Sequence, residues 1–124
     1  IPSANAIMSR NLFYIGLLYS NNRFIDIAKQ MTQRVLNQVQ YASAYSEWLL
    51  NDLIFKSDFT YIVVSKPSKN DLISLNSHFY HKIILDNSLN IPILDGYKNQ
   101  KKKFQLCTTD SCMPGTDNIN EILK

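Results

Sequence analysis

Two cysteines stand five positions apart near the end of the chain, Cys107 and Cys112. Thiols this close can form a loop disulfide, pack as free thiols, work as a redox pair or help to hold a metal. Redox work asks for a stabilised thiolate, which a C-x-x-C motif obtains from a helix N-terminus or a neighbouring cation. Here the spacing is C-x-x-x-x-C at a strand end, where nothing in the sequence activates a thiolate. A disulfide or packed thiols is therefore the plainer reading of Cys107 and Cys112. A structural zinc site would need four ligands. His78 and His81 complete that tally, but the two pairs would have to converge across a sheet. Histidines near a helix C-terminus, where a cation is favoured, are the simpler account. No metal and no cofactor is expected.

Carboxylates are the next candidates for chemistry. Glycoside hydrolysis uses a facing pair of them. In the first half the acids are Asp26, Glu47, Asp52 and Asp58. Asp26 falls on the outer side of a helix. Glu47 and Asp52 are five apart and share a face poorly. No catalytic residue is assigned. Asn5 and Tyr45 stand at helix starts and are candidates for lining a sugar-sized pocket. Against that, Asn5 is an ordinary first-turn residue, and Tyr45 and Trp48 suit a core with a polar tip. There is no supported Ser/His/Asp arrangement, phosphate-binding glycine loop or dinucleotide fingerprint.

Composition narrows the partners. The chain has 124 residues, 45% hydrophobic and 19% charged, which is globular rather than disordered. The net charge is +3, and only three of the thirteen cations are Arg. Base and phosphate recognition favours the Arg fork, so no nucleic-acid partner is expected. The dense run Lys101, Lys102 and Lys103 reads as a solvated loop. No apolar run is long enough to span a bilayer, so no membrane role is expected. The chain opens at Ile1 without Met; location is left open, with the cytoplasm favoured.

These residues must be positioned by two kinds of element. Ser3 can cap a helix over about 4–20. Its apolar residues, among them Ile7, Met8, Phe13, Ile15 and Leu18, point in almost every direction, so the helix asks for burial on nearly all sides. A chain this short can hardly supply that, which points to a missing partner and to self-association of the chain alone. Asn21-Asn22 is a turn. A second helix over about 23–40 has a clean stripe of Phe24, Ile27, Ala28, Met31, Val35 and Val39. The pair forms a hairpin with the first helix inner and the second outer. A third helix over about 43–55 puts Tyr45, Trp48, Leu49 and Leu53 on one face. The pattern then changes. Residues 59–65, FTYIVVS, read as a strand buried on both faces. A helix from Ser68 or Asn70 to Phe79 and a strand over 82–86 complete a βαβ unit. Leu94 and its neighbours anchor an irregular stretch, a third strand covers about 104–108, and Thr116 or Asp117 caps a last helix over 118–123. The expected class is α+β: a helical segment over 1–57, then a small α/β unit over 58–124 with a short, mostly parallel three-stranded sheet.

Three stretches in order resemble one family. Pro2-Ser3-Ala4-Asn5 resembles a Pro-Ser-(Gly/Ala)-Asn motif, and Tyr41-Ala42-Ser43-Ala44-Tyr45 resembles a Pro-Ser-Ala-Tyr segment with Ala42 in place of Pro. The tail, Phe104-Gln105-Leu106-Cys107 through Cys112-Met113-Pro114-Gly115-Thr116-Asp117, resembles a Tyr-Val-Cys-x-x-x-x-Cys-x-x-Pro-x-x-Asp pattern. The family is that of thioredoxin-domain-containing proteins typified by bacterial YyaL and spermatogenesis-associated protein 20. The resemblance implies a C-terminal piece of a longer protein. In such a protein a thioredoxin-like domain precedes an (α/α)6 barrel of the six-hairpin glycosidase type. Residues 1 to about 57 would be the last barrel hairpin and a following helix, and the partner would be the rest of the parent chain. The implied role is structural, completing or capping the barrel. Alternatives are a wall of a carbohydrate-binding or sugar-processing cavity, and a redox or disulfide-bearing module through Cys107 and Cys112.

Overall fold

The computed structural model describes residues 3–38, 45–78 and 82–123. It has an α+β architecture in two compact units, Ile1–Asp58 and Phe59–Lys124. The expected Phe79, His81 and Val39, and positions 41–44 of the middle motif, lie outside the described residues.

The first unit holds helices α1 (Ala4–Leu18), α2 (Asn22–Leu36) and α3 (Ser46–Lys56). Ser3 and Asn21 cap the first two, each accepting from a first-turn backbone N–H. Of its large apolar residues, helix α1 buries only Phe13. It turns Ala6, Ser9, Phe13 and Gly16 inward and leaves Ile7, Met8 and Ile15 exposed. The reason is the closeness of α2. A methyl group on Gly16 would lie 2.7 Å from Ile25 Cγ1 and 3.0 Å from the Asn21 carbonyl oxygen. Only small side chains fit that seam. Ser9, fully buried, donates to the Ala28 carbonyl at 2.8 Å and shares a hydrogen bond with Thr32 at 3.1 Å.

Helix α3 joins through a second polar seam. Asn51, fully buried, donates to the Ala6 carbonyl at 2.7 Å and accepts from Arg10 Nε at 2.8 Å, while Arg10 also pairs with Glu47 at 2.7 Å. Phe13 stacks on Phe55 at 4.3 Å. The inward face of α3 is thus Trp48, Asn51 and Phe55. Of the face expected from the sequence only Trp48 is buried, because Tyr45, Leu49 and Leu53 point outward, Leu53 being 68% exposed.

The second unit is built on strand β1 (Thr60–Val64). It pairs in parallel with β2 (Ile83–Asp86) and antiparallel with β3 (Phe104–Thr108), giving the order β2-β1-β3. The sheet is therefore mixed, with one ladder of each kind. Helix α4 (Lys69–His78) connects the parallel strands, and a 3-10 helix (Pro92–Tyr97) lies between β2 and β3. Alternate residues of β1 face opposite ways. Ile62 and Val64 pack with Leu75 of α4, Phe104, and Ile122 of the short helix α5 (Ile119–Ile122). Tyr61 faces the other way and meets Tyr97 of the 3-10 helix edge-on at 6.4 Å. With both faces covered, Tyr61 to Val64 are all buried, as their continuous apolar run requires. The last helix is capped by Asn118, not by Thr116 or Asp117. Thr116 is engaged elsewhere: it pairs across the sheet edge with Phe104, and its hydroxyl accepts from Asn118 N and donates to Glu121.

Asp71 ties α4 to the chain entering β3. It accepts from the Ser68 N–H and hydroxyl at 2.8 and 2.7 Å, the Ser68 hydroxyl accepts from Asp71 N, and Lys103 pairs with the carboxylate at 2.7 Å. Lys103 first, and then Ser68, hold its pKa down to about 2. A depressed carboxylate stabilises the fold above its unfolded pKa of about 4 and loses that contribution as pH falls through the folded value. Thermal unfolding of Asp71→Asn and the parent sequence between pH 5 and 2 checks this. The parent should be the more stable at pH 5, and the gap should close as pH falls from about 4 toward 2.

Candidate functional site

The two cysteines are brought together by a tight hairpin. Beyond β3 the chain turns at Thr109-Asp110, and Thr108 N donates to Ser111 O at 2.7 Å while Met113 N donates to Leu106 O at 2.9 Å. The Thr108 hydroxyl accepts from Ser111 N and so braces the turn. Between those two hydrogen-bonded rungs, Cys107 and Cys112 face one another as a non-hydrogen-bonded pair. Such pairs bring Cα atoms closest; here they are 4.1 Å apart, and the sulfurs are joined in a disulfide. Cys107 is buried in the sheet face that Tyr61 shares, since the two are partners in the ladder, whereas Cys112 is exposed.

The Tyr97 hydroxyl lies at the centre of this cluster. It is 3.2 Å from Cys107 Sγ, 2.8 Å from Cys112 Sγ and 3.2 Å from the Tyr61 hydroxyl. Burial first, and then Tyr97, push the Tyr61 hydroxyl above its ordinary pKa, so it stays neutral. Tyrosine offers one proton and sulfur is a weak acceptor. The cluster therefore orients the disulfide without charging it, and no ionic group hydrogen-bonds either sulfur among the described residues. An incoming thiolate would reach the exposed Cys112 sulfur first.

The remaining candidates are dispersed. Asn5 is exposed in the first turn of α1, and Tyr45 is 37% exposed at the N-cap of α3. Neither lines the cavity of about 190 Å³ between α2 and α3, which is bordered by Lys29, Thr32, Gln33, Asp52, Phe55 and Lys56. Glu47 pairs with Arg10, and Asp52 pairs with Lys56 at 2.6 Å. His78 is exposed, its Nδ1 beside the Ser74 carbonyl and the Ser77 hydroxyl. Among the described residues no three His, Cys, Asp or Glu side chains converge as a metal would need, and no helix is long and apolar enough to cross a membrane. Of the lysine run, Lys102 pairs with Asp117 at 2.7 Å and Lys103 with Asp71.

Two features escaped the sequence reading. One is Tyr97, whose position beside both sulfurs depends on how the 3-10 helix crosses the sheet. The other is a polar cavity of about 440 Å³ at the carboxyl ends of β1 and β2; the parallel pairing of those strands is the signal that could have located it. No family model, curated protein or solved structure matches the chain.

The disulfide closes a ring of six residues from Cys107 to Cys112. Chain entropy assigns such a closure about 2 kcal/mol. Reductant should lower the unfolding free energy of the second unit by about that amount, and Cys112→Ser should remove the sensitivity to reductant. Thiol counting should find no free thiol in native, unreduced protein. Two free thiols without reductant would contradict the assignment.

Proposed function

We propose that this chain is a structural, non-catalytic module of a thioredoxin-domain-containing protein of the YyaL type. In this reading its helical unit completes or caps an α/α barrel by packing against further helices of the parent chain. The observation that carries the reading is the outward side of the helical unit. On α1, Ile7, Met8 and Ile15 are 42 to 54% exposed, and Tyr19 continues the same side. On α3, Leu49, Leu50 and Leu53 form a stripe at one-turn spacing, 37 to 68% exposed. Scattered surface apolar residues need no explanation, but contiguous stripes on two helices mark an interaction surface. The polar groups of the same unit favour a structural role too, because Ser9, Thr32, Asn51, Arg10 and Glu47 are all engaged in holding the helices together.

The order of the Pro-Ser-Ala-Asn opening and the C-x-x-x-x-C tail supports the family assignment. A redox role is a second reading, favoured by the exposed Cys112 sulfur; it fails if replacing both cysteines with serine leaves the parent protein's redox activity unchanged.

The structural reading predicts self-association of the chain on its own. Light scattering at high protein concentration should give a dimer or larger species. Met8→Glu combined with Leu53→Glu should shift it to monomer without loss of helix content by circular dichroism. An unmutated chain that is already monomeric on its own would count against the proposal.

A further inference from the structure

The cavity at the carboxyl ends of β1 and β2 sits where the topology of the second unit divides. The chain leaving β1 crosses the sheet on the face of Ile62 and Val64, because Leu75 of α4 packs there. The chain leaving β2 crosses on the opposite face, because Tyr97 meets Tyr61 and Cys107. Two neighbouring parallel strands whose exits go to opposite faces leave a crevice between their carboxyl ends. In open sheets of this kind that crevice is where small ligands bind.

Its lining has a definite chemistry. From the exit of β1 come Ser65 and Lys66; from the exit of β2 come Asp86, Asn87 and Ser88; Lys98 and Gln100 close the side. All seven of its lining residues carry polar or charged side chains. Two lysines and one aspartate are among its lining residues. Lys66 forms no ion pair among the described residues, and Lys98 donates to the Leu89 carbonyl, which leaves two further N–H donors on its ammonium. Asp86 accepts the Ser88 N–H at 2.9 Å with one carboxylate oxygen. Gln100 donates to the Lys102 and Lys103 carbonyls, and its Oε1 is buried with no partner in the described structure. Lysine donors suit an oxyanion, while the carboxylate suits hydroxyl donors.

The backbone at Lys66 points the same way. Its φ is 49°, in the left-handed region that a lysine adopts at a cost, and Pro67 follows it. Gly or Asn would hold this turn more easily, so the lysine is not explained by the turn.

We propose that this crevice binds a small phosphomonoester carrying free hydroxyls, with Lys66 and Lys98 on the phosphate and Asp86 on the hydroxyls. The proposal does not depend on the packing role of the helical unit. Glycerol 3-phosphate and inorganic phosphate, titrated separately into the 124-residue chain by calorimetry and by amide NMR, test it. Glycerol 3-phosphate should saturate more tightly than phosphate and shift Ser65, Lys66, Asn87 and Ser88. Lys66→Gly should weaken binding by about tenfold or more while leaving the melting temperature equal or higher, since glycine relieves the backbone. Lys98→Met should weaken it similarly, and Lys101→Met, outside the crevice, should not. Absence of saturable binding by either probe, equal loss in Lys101→Met, or shifts confined to other residues would overturn the proposal.

Discussion

At Gly16 the second helix comes so close to the first that a single methyl group has no room. The small-residue inner side of α1 follows from that approach. A helix that admits only Ala, Ser, Gly and one stacked Phe on its inner side must carry its larger apolar residues elsewhere. The seam is also polar, and a buried hydroxyl or amide without a partner costs about 1–3 kcal/mol. Ser9 meets this by bonding Thr32 and the Ala28 carbonyl, and Asn51 by bridging Ala6 and Arg10. These bonds fix the three helices in register without consuming the hydrophobic surface of α1 and α3. That surface remains outward, and it underlies the proposed packing against further helices.

The second unit obeys a different constraint. Strand β1 is covered on both faces, by α4 and α5 on one and by the 3-10 helix on the other. Covering a two-faced strand with connections that leave in opposite directions opens a crevice at the strand ends. Polar residues collect there because the exits are loops with unpaired backbone groups to satisfy. The disulfide lies at the far end of the ladder, where it pins the hairpin that follows β3 and holds Cys107 against Tyr97. The C-x-x-x-x-C spacing is therefore the spacing of a two-residue turn between facing partners in a narrow pair.

Much of this was legible in the residues. Ser3 announces a helix start because a short polar side chain satisfies an orphan N–H group, Asn21-Asn22 announces the break before the second helix, and FTYIVVS announces a doubly covered strand because no polar face breaks it. What was not legible depended on distant contacts. The inward position of Asn51 is set by partners 41 and 45 positions earlier, and local hydrophobicity favoured Leu53 in its place. Thr116 looked like a helix cap until its pairing with Phe104 is taken into account. The over-apolar character of α1 was visible at once, but not which side would be left uncovered, because that is decided by the small residues rather than the large ones.

The outward stripes of α1 and α3 are proposed to be packing surfaces within a longer helical assembly. Methyl NMR with a soluble paramagnetic agent reads this directly at Met8 and Leu53. In the dilute chain alone both methyl signals should be strongly broadened, and within the longer parent protein both should be protected. Methyls that remain equally accessible in the parent protein would contradict the account.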